Sequence, residues 1–419
     1  MAPVMLDKRP DRIPELGRVL IPAKAIDPVH ARDLFALGFL PEISGGARGY
    51  NQSGDVVTQT ADGRDLNQVW NDYQTALASY NQQRDVLMQA MVYPVTEVIE
   101  DVFQAGDVVD FEEASEFGVP RGVRAKMPTY YSLGYSFKWY DIGARFTWEF
   151  LAESTQEQVD SLNNIILEAD DRNQFVNVFR QVLNNVTRVA NINQQNYNVY
   201  PLFNGDATVP PRYKQTVHAS AHQHYLTSGA ATVDAGDLTG AGSMYAHLDH
   251  HGYNWQEGST LILLVNSAQG ATIRTFRVGV AGAEYDFIPS VGLPQWYVTP
   301  GRSSLEVPPG VAPPSSFNGM QVIGRYGPWL VVEDDLIPAG YMVGFASGGN
   351  LDARNLVGIR EHRNASLRGL RLVKGPDPDY PLIDSYYQRG FGTGIRQRGA
   401  GVVMQVTAGG YTIPTGYTY

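Results

Sequence analysis

The stretch from residue 137 to residue 190 restricts the fold of this chain more than any other. Phe137 to Phe150 is dense in β-formers and runs directly into a long helical pattern. Val159, Leu162, Ile166, Ala169, Val176, Phe179, Leu183 and Val186 recur there at steps of three and four, interrupted only by Asn173. That period places them on one face of one helix. Ser154 and Glu157 have the Ser-x-x-Glu spacing of a capping box, which predicts the helix start. Thr155 to Val189 contains no Pro or Gly. At 1.5 Å per residue it would extend for roughly 50 Å, about three times an average helix. A helix of that length needs a long surface to lie on.

The rest of the chain has to supply that surface. Its 419 residues, 43% of them hydrophobic, exceed what one compact core holds, so two or more units are expected. No run approaches 18 consecutive apolar residues, so no spanning helix and no membrane partner are expected. Met1 to Leu20 lacks the apolar core of a secretory signal. The absence of Cys removes disulfides, thiolate nucleophiles and Cys-based metal sites together. A net charge of −11 argues against gripping nucleic acid along the whole chain. The 26 Arg against 6 Lys, with 24 Tyr, fit a protein with extensive interfaces.

Six prolines before residue 42 break residues 1–63 into an extended arm. Asp65 to Val92 reads as a second helix, ended by Pro94. Glu97 to Glu116 holds eight carboxylates and no Lys or Arg; Arg121, Arg124 and Lys126 then follow between Pro120 and Pro128. This pattern predicts a two-stranded excursion: out through Val108 to Phe117, around a basic tip, and back along the aromatic stretch Tyr130 to Phe150. A lone hairpin is marginal in water, so a long one implies a surface on another chain. Beyond the long helix, residues 191–258 are polar. Ser259 to Asn266 is a buried-strand run, and further strands are expected at 320–332, 341–345, 355–361 and 385–412.

This succession resembles the major capsid proteins of tailed bacteriophages, whose Hong Kong 97-type fold is shared with encapsulins. The local likeness lies in Ser259-Thr-Leu-Ile-Leu-Leu-Val-Asn266, Phe317-Asn-Gly-Met-Gln-Val-Ile323, Asp335-Leu-Ile-Pro-Ala-Gly340 and Val343-Gly-Phe345. The resemblance implies an α+β, Hong Kong 97-like capsid fold. Its parts would be an extended N-terminal arm (1–63), a helix entering the peripheral domain (64–100), a long β-hairpin or E-loop (101–150) and a peripheral-domain spine helix (151–190). An axial domain with a central sheet (191–385) and a return strand with the C-terminus (386–419) would follow. The stretch 203–258 reads as an insertion. The long helical scaffolding segment of some members is absent from the front end.

The implied function is self-assembly, through hexamers and pentamers, into the icosahedral shell around a double-stranded DNA genome. Separate scaffolding, portal and decoration proteins would be partners, and the DNA would be packaged without sequence-specific binding. The shell would form in the bacterial host cytoplasm and end in the virion. No catalysis and no cofactor are expected. Two alternatives are an encapsulin compartment, which the Pro-rich arm disfavours, and a β-rich secreted hydrolase or carbohydrate-binding protein, which the long helix disfavours.

Charge layout nominates inter-subunit contacts. Glu112, Glu113 and Glu116 lie in the acidic run, and Arg121, Arg124 and Lys126 form the basic tip. Arg389, Arg396 and Arg398 belong to a later stretch (353–398) with nine basic residues against four acidic ones. Opposed charge of this kind sets register between subunits. Six of the eight histidines fall at His218, His222, His224, His247, His250 and His251. In Gly- and Ser-rich surroundings they read as surface residues, so no metal site is expected. Gly390, Gly392 and Gly394 lack the Lys and following helix of a phosphate loop and read as a sheet bend or bulge.

Overall fold

Strand and helix periodicities build two large sheets and three two-stranded ones among the described residues. The computed structural model describes residues 59–419 except 83–85, 104–110, 112, 115, 117, 120–129, 193, 215, 219, 281, 292–312 and 375–381. The arm expected at 1–63 lies outside these residues as far as residue 58. The described residues belong to one unit, Thr58–Tyr419.

The first half contains α1 (Leu66–Gln82), α2 (Val86–Met91), β1 (Val92–Val95), β2 (Ile99–Phe103), β3 (Tyr130–Gly134), β4 (Lys138–Thr147), α3 (Trp148–Glu153) and α4 (Gln156–Leu183). Next come β5 (Arg188–Ile192), β6 (Gln195–Val199), β7 (Tyr225–Thr227), α5 (Ala235–Thr239), α6 (Met244–Asp249), β8 (Thr260–Val265), α7 (Ser267–Ile273) and β9 (Phe287–Pro289). The last part contains β10 (Ser316–Phe317), β11 (Met320–Gln321), β12 (Gly324–Tyr326), β13 (Trp329–Glu333), β14 (Tyr341–Ser347), β15 (Val357–Glu361), β16 (Arg371–Lys374), β17 (Leu382–Gly394) and β18 (Gly401–Gln405).

A seven-stranded sheet runs β7-β18-β14-β8-β13-β12-β9. Alternation sends the side chains of its central strands to two different cores. Leu261, Leu263 and Val265 of β8, with Met342 and Ala346 of β14, join Leu238 of α5 and Leu248 of α6. Ile262 and Leu264 of β8, with Val343 and Phe345 of β14, join Phe175, Phe179 and Val182 of α4. Burying a Leu, Ile or Phe fully is worth about 1.5–3 kcal/mol, so this double coverage fixes register: a one-residue slip would exchange the two sets. Gly344 is required between them, because a Cβ there would lie 2.7 Å from the Trp329 ring.

The second sheet runs β1-β15-β17-β16, with β4 also on β17. Pro94, expected to end the second helix, instead lies within β1, while that helix is α1 and the separate α2. Among the described residues β1 is the edge of its sheet and pairs only with β15, a position where a missing N–H is tolerated. The strand expected at 385–412 is two strands, one in each sheet.

α4 is the predicted long helix, at 28 residues and about 42 Å. Its cap is one residue later than the sequence pattern indicates. Ser154 N–H donates to Phe150 O (2.8 Å), closing α3, so Thr155 takes the cap and donates its N–H to Gln158 Oε1 (3.1 Å). The helix ends at Leu183, which leaves Val186 outside it and exposed. The buried face is also rotated. Leu162 is exposed, whereas Asn163 and Asp170 are buried with Val159, Ile166, Phe175 and Val178. Tyr387 O–H donates to Asn163 Oδ1, and Asp170 pairs with Arg389 at 2.8 Å. Polar groups occupy the buried face because β17 supplies their partners.

Candidate functional site

The excursion is rooted in the antiparallel pairing of β2 with β3, from Ile99↔Gly134 to Phe103↔Tyr130. This pairing is nearer the body than the predicted outgoing strand at 108–117. Four apolar side chains on the excursion are uncovered by the described chain: Phe103 (44% exposed), Phe111 (107%), Val119 (92%) and Tyr130 (57%).

Past Gly134 the return arm crosses the face of β17 and then joins its edge as β4, with Lys138↔Phe391 through Thr147↔Leu382 in register. The crossing explains the three alternate glycines. A Cβ on Gly392 would lie 1.1 Å from Ser136 O, one on Gly390 2.6 Å from the Trp139 ring, and one on Gly394 2.6 Å from the Tyr135 ring. β17 is one continuous strand here, so the glycines serve close backbone approach rather than a bend or bulge. Ser136 Oγ donates to Thr393 O at 3.3 Å across the same track.

A clamp of polar groups holds the crossing. Tyr135 is fully buried; its O–H donates to Glu100 Oε2 at 2.7 Å and its oxygen lies 3.0 Å from that of Tyr93. Glu100 Oε1 pairs with Arg396 Nη1 at 2.9 Å. Burial pushes the Tyr93 phenol up to about 12 and the Tyr135 phenol up as well, so both remain protonated donors at neutral pH. Arg360 donates to Tyr135 O at 3.2 Å and lies over the Phe137 ring at 5.0 Å. Sequence reading missed this clamp, because Tyr93, Glu100, Tyr135 and Arg396 share no local motif.

The nominated charges separate into three groups. Arg121, Arg124, Lys126 and Glu112 lie outside the described residues, while Glu113 and Glu116 are exposed. Arg396 is half-exposed and belongs to the clamp. Arg389 and Arg398, nominated as inter-subunit contacts, are instead buried inside the subunit. Arg398 pairs with Asp206 at 2.9 Å, donates to Pro201 O and Leu202 O, and lies over the Phe203 ring at 4.6 Å. Burial acts to raise the Asp206 carboxyl, but the Arg398 hydrogen bonds and charge outweigh it and hold the group below the ordinary range. At Asp170 burial wins over Arg389, and the carboxyl sits above that range. A count of charges cannot separate inward from outward arginines; partners distant in the chain decide.

The six clustered histidines are likewise not scattered on the surface. His224 is fully buried and His218 nearly so, and the six rings form one connected cluster of tilted and edge-on contacts, with His222, His224 and His251 beside Phe203.

No protein-family model matches the chain, and no curated protein matches it. A solved structure from Mycobacterium phage Patience is 41% identical, with a TM-score of 0.67, over 89% of this chain and 98% of that one. The capsid of a native GTA particle is 14% identical, with a TM-score of 0.44, over 78% of this chain and 91% of that one. An encapsulin from Synechococcus elongatus PCC 7942 is 12% identical, with a TM-score of 0.41, over 78% and 89% respectively.

Proposed function

The chain belongs to the Hong Kong 97-type major capsid proteins of tailed bacteriophages, and from that membership we propose that its excursion, residues 99–134, ties each subunit to the next. As a major capsid protein it self-assembles into the icosahedral shell of the virion, around a double-stranded DNA genome. The observation that carries the proposal about the excursion is the pairing of a clamped root with four uncovered apolar side chains. The root is held by Tyr135, Glu100 and Arg396, while Phe103, Phe111, Val119 and Tyr130 face outward. A held base with an uncovered apolar arm suits an element that buries its surface on a neighbour.

In this reading α4 with the five-stranded sheet forms the peripheral domain, and the seven-stranded sheet forms the axial domain. Subunits group as hexamers and pentamers, with a separate scaffolding protein, a portal and a decoration protein as partners. Assembly takes place in the host cytoplasm. The chain's net charge of −11 keeps the packaged DNA from adhering through nonspecific contacts. No catalytic step is part of the proposal. Among the described residues no helix is long and apolar enough to cross a membrane.

The tip supplies the test. Arg121, Arg124 and Lys126 are proposed to meet acidic or polar groups on the neighbour through charge-assisted hydrogen bonds. The triple variant Arg121→Ala, Arg124→Ala, Lys126→Ala should fold with the circular dichroism of the wild type. Its particle yield by negative-stain microscopy should fall several-fold at low salt, and the gap to wild type should narrow as salt screens the wild-type contacts. Shells of normal yield with the salt dependence of the wild type would overturn the docking of the tip.

A further inference from the structure

We infer that His218, His250 and His251 form a binding site for a divalent transition metal ion of the zinc class, which ties the loop before β7 to the end of α6. One ring nitrogen from each of the three lies within 4.8 Å of the other two. Adjacent nitrogens on a tetrahedral zinc are about 3.4 Å apart, given Zn–N distances of about 2.0–2.1 Å. Rotation of the rings by little more than an ångström at their nitrogens therefore closes the site. His222, whose ring centre is 4.6 Å from that of His218, is the nearest ring for a fourth position.

The hydrogen bonds prepare His250, and His222 beside it, to ligate. A backbone carbonyl can only accept, so a ring nitrogen facing one carries the proton. Nδ1–H donates to a carbonyl in His222 (Ser220 O, 3.3 Å), His224 (Gly401 O, 2.7 Å), His247 (Ser243 O, 2.8 Å) and His250 (Ala246 O). In each neutral ring the lone pair is then on Nε2. This is the outer-shell arrangement that fixes the tautomer of metal-ligating histidines. Two of the ring nitrogens, Nε2 of His218 and Nε2 of His250, are buried with no hydrogen-bond partner among the described residues, a costly state that a metal ion would relieve. His251 Nε2 lies 3.1 Å from His224 Nε2, whose proton is on Nδ1, so His251 donates from Nε2 and keeps Nδ1 for an ion. Burial disfavours the charged form of His218, His222, His224, His250 and His251. A donor set of imidazoles selects zinc, nickel or copper over magnesium or calcium.

The site joins segments distant in the chain. His218 lies on the loop before β7, and His250 and His251 follow α6. The His251 ring lies 3.0 Å from where a Cβ on Gly399 would project, and His224 is bonded to Gly401 at the start of β18. In a protein without cysteine, three-histidine ligation is a means of cross-linking these pieces.

The full chain, stripped with EDTA and dialysed, should be titrated calorimetrically with ZnCl2 alone. About one Zn2+ per subunit, bound more tightly than about 1 µM, is the expected result. Melting should shift upward in its presence by about 2 °C or more. The variant His250→Gln, His251→Gln should bind at least about tenfold more weakly, whereas His362→Gln, outside the cluster, should bind as the wild type does. A second readout needs no variant: Co2+ in place of Zn2+ should show the visible bands of a four- or five-coordinate, nitrogen-ligated ion. Absence of saturable Zn2+ uptake, equal uptake by the folded double variant, or a spectrum of octahedral aqueous Co2+ would each overturn the site.

Discussion

β14 and β4 are both long, well-paired strands, yet β14 is buried at all seven positions and β4 at none of its ten. Hydrogen bonding does not separate them. β14 is paired on both edges, and β4 is paired with β17 along its whole length. What differs is coverage. α4 packs over one face of β14, and α5 with α6 covers the other. β4 leaves Trp139 and Ile142 exposed, and Lys138, Asp141 and Arg145 are spaced along it. Charges of this kind keep an uncovered strand from indiscriminate edge pairing. A ladder supplies register, whereas a core needs a second layer. The seven-stranded region has that layer within the subunit. In the proposed shell, a neighbouring subunit supplies it for β4 and the excursion.

The comparison breaks most visibly at Phe179, which is fully buried and stacked on Phe175 at 4.2 Å. Phe179→Ala should lower the free energy of unfolding by about 3–5 kcal/mol, measured by denaturant titration of unassembled subunits. A loss under about 0.5 kcal/mol would mean that α4 is no more internal than β4.

Asp206→Ala should cost somewhat less, about 3 kcal/mol, because it leaves the buried Arg398 without its carboxylate. The same group gives a pH signature. Its folded-state carboxyl lies below the ordinary range, so its contribution is fully present above the unfolded value of about 3.9. That contribution is lost as pH falls through the lower folded value. Below about pH 4 the stability difference between wild type and Asp206→Ala should therefore narrow. A gap that widened on acidification would reverse the assignment.

The smallest effect on the subunit is expected on β4. Trp139→Ala with Ile142→Ala should change subunit stability by only about 0.5 kcal/mol, as at surface sites, while lowering the yield of shells. A large loss of stability with normal assembly would show that β4 is covered by its own chain.

What the sequence determined by itself was the set of elements. Leu261 to Val265 and the stripe beginning at Val159 announce a strand and a helix, because backbone preference and apolar period are set by residues a few positions apart. Such local order also made the succession of elements recognisable. The same locality explains why the pattern points to Ser154 as the cap and to Leu162 as a core residue, where the fold has Thr155 and an exposed Leu162. Cap and face each depend on what arrives from elsewhere, here the end of α3 and the partners offered by β17. Tertiary structure alone decided the fate of the polar and small residues. Arg398 and Asp206 are 192 positions apart, and Gly392 meets Ser136 only because the return arm crosses β17. His218 meets His250 only when the loop before β7 folds onto the end of α6. A buried charge, a glycine track or a cluster of imidazoles is tolerable only when its distant partner is in place. The cost of burying a polar group is settled by the whole fold, and no run of neighbouring residues encodes it.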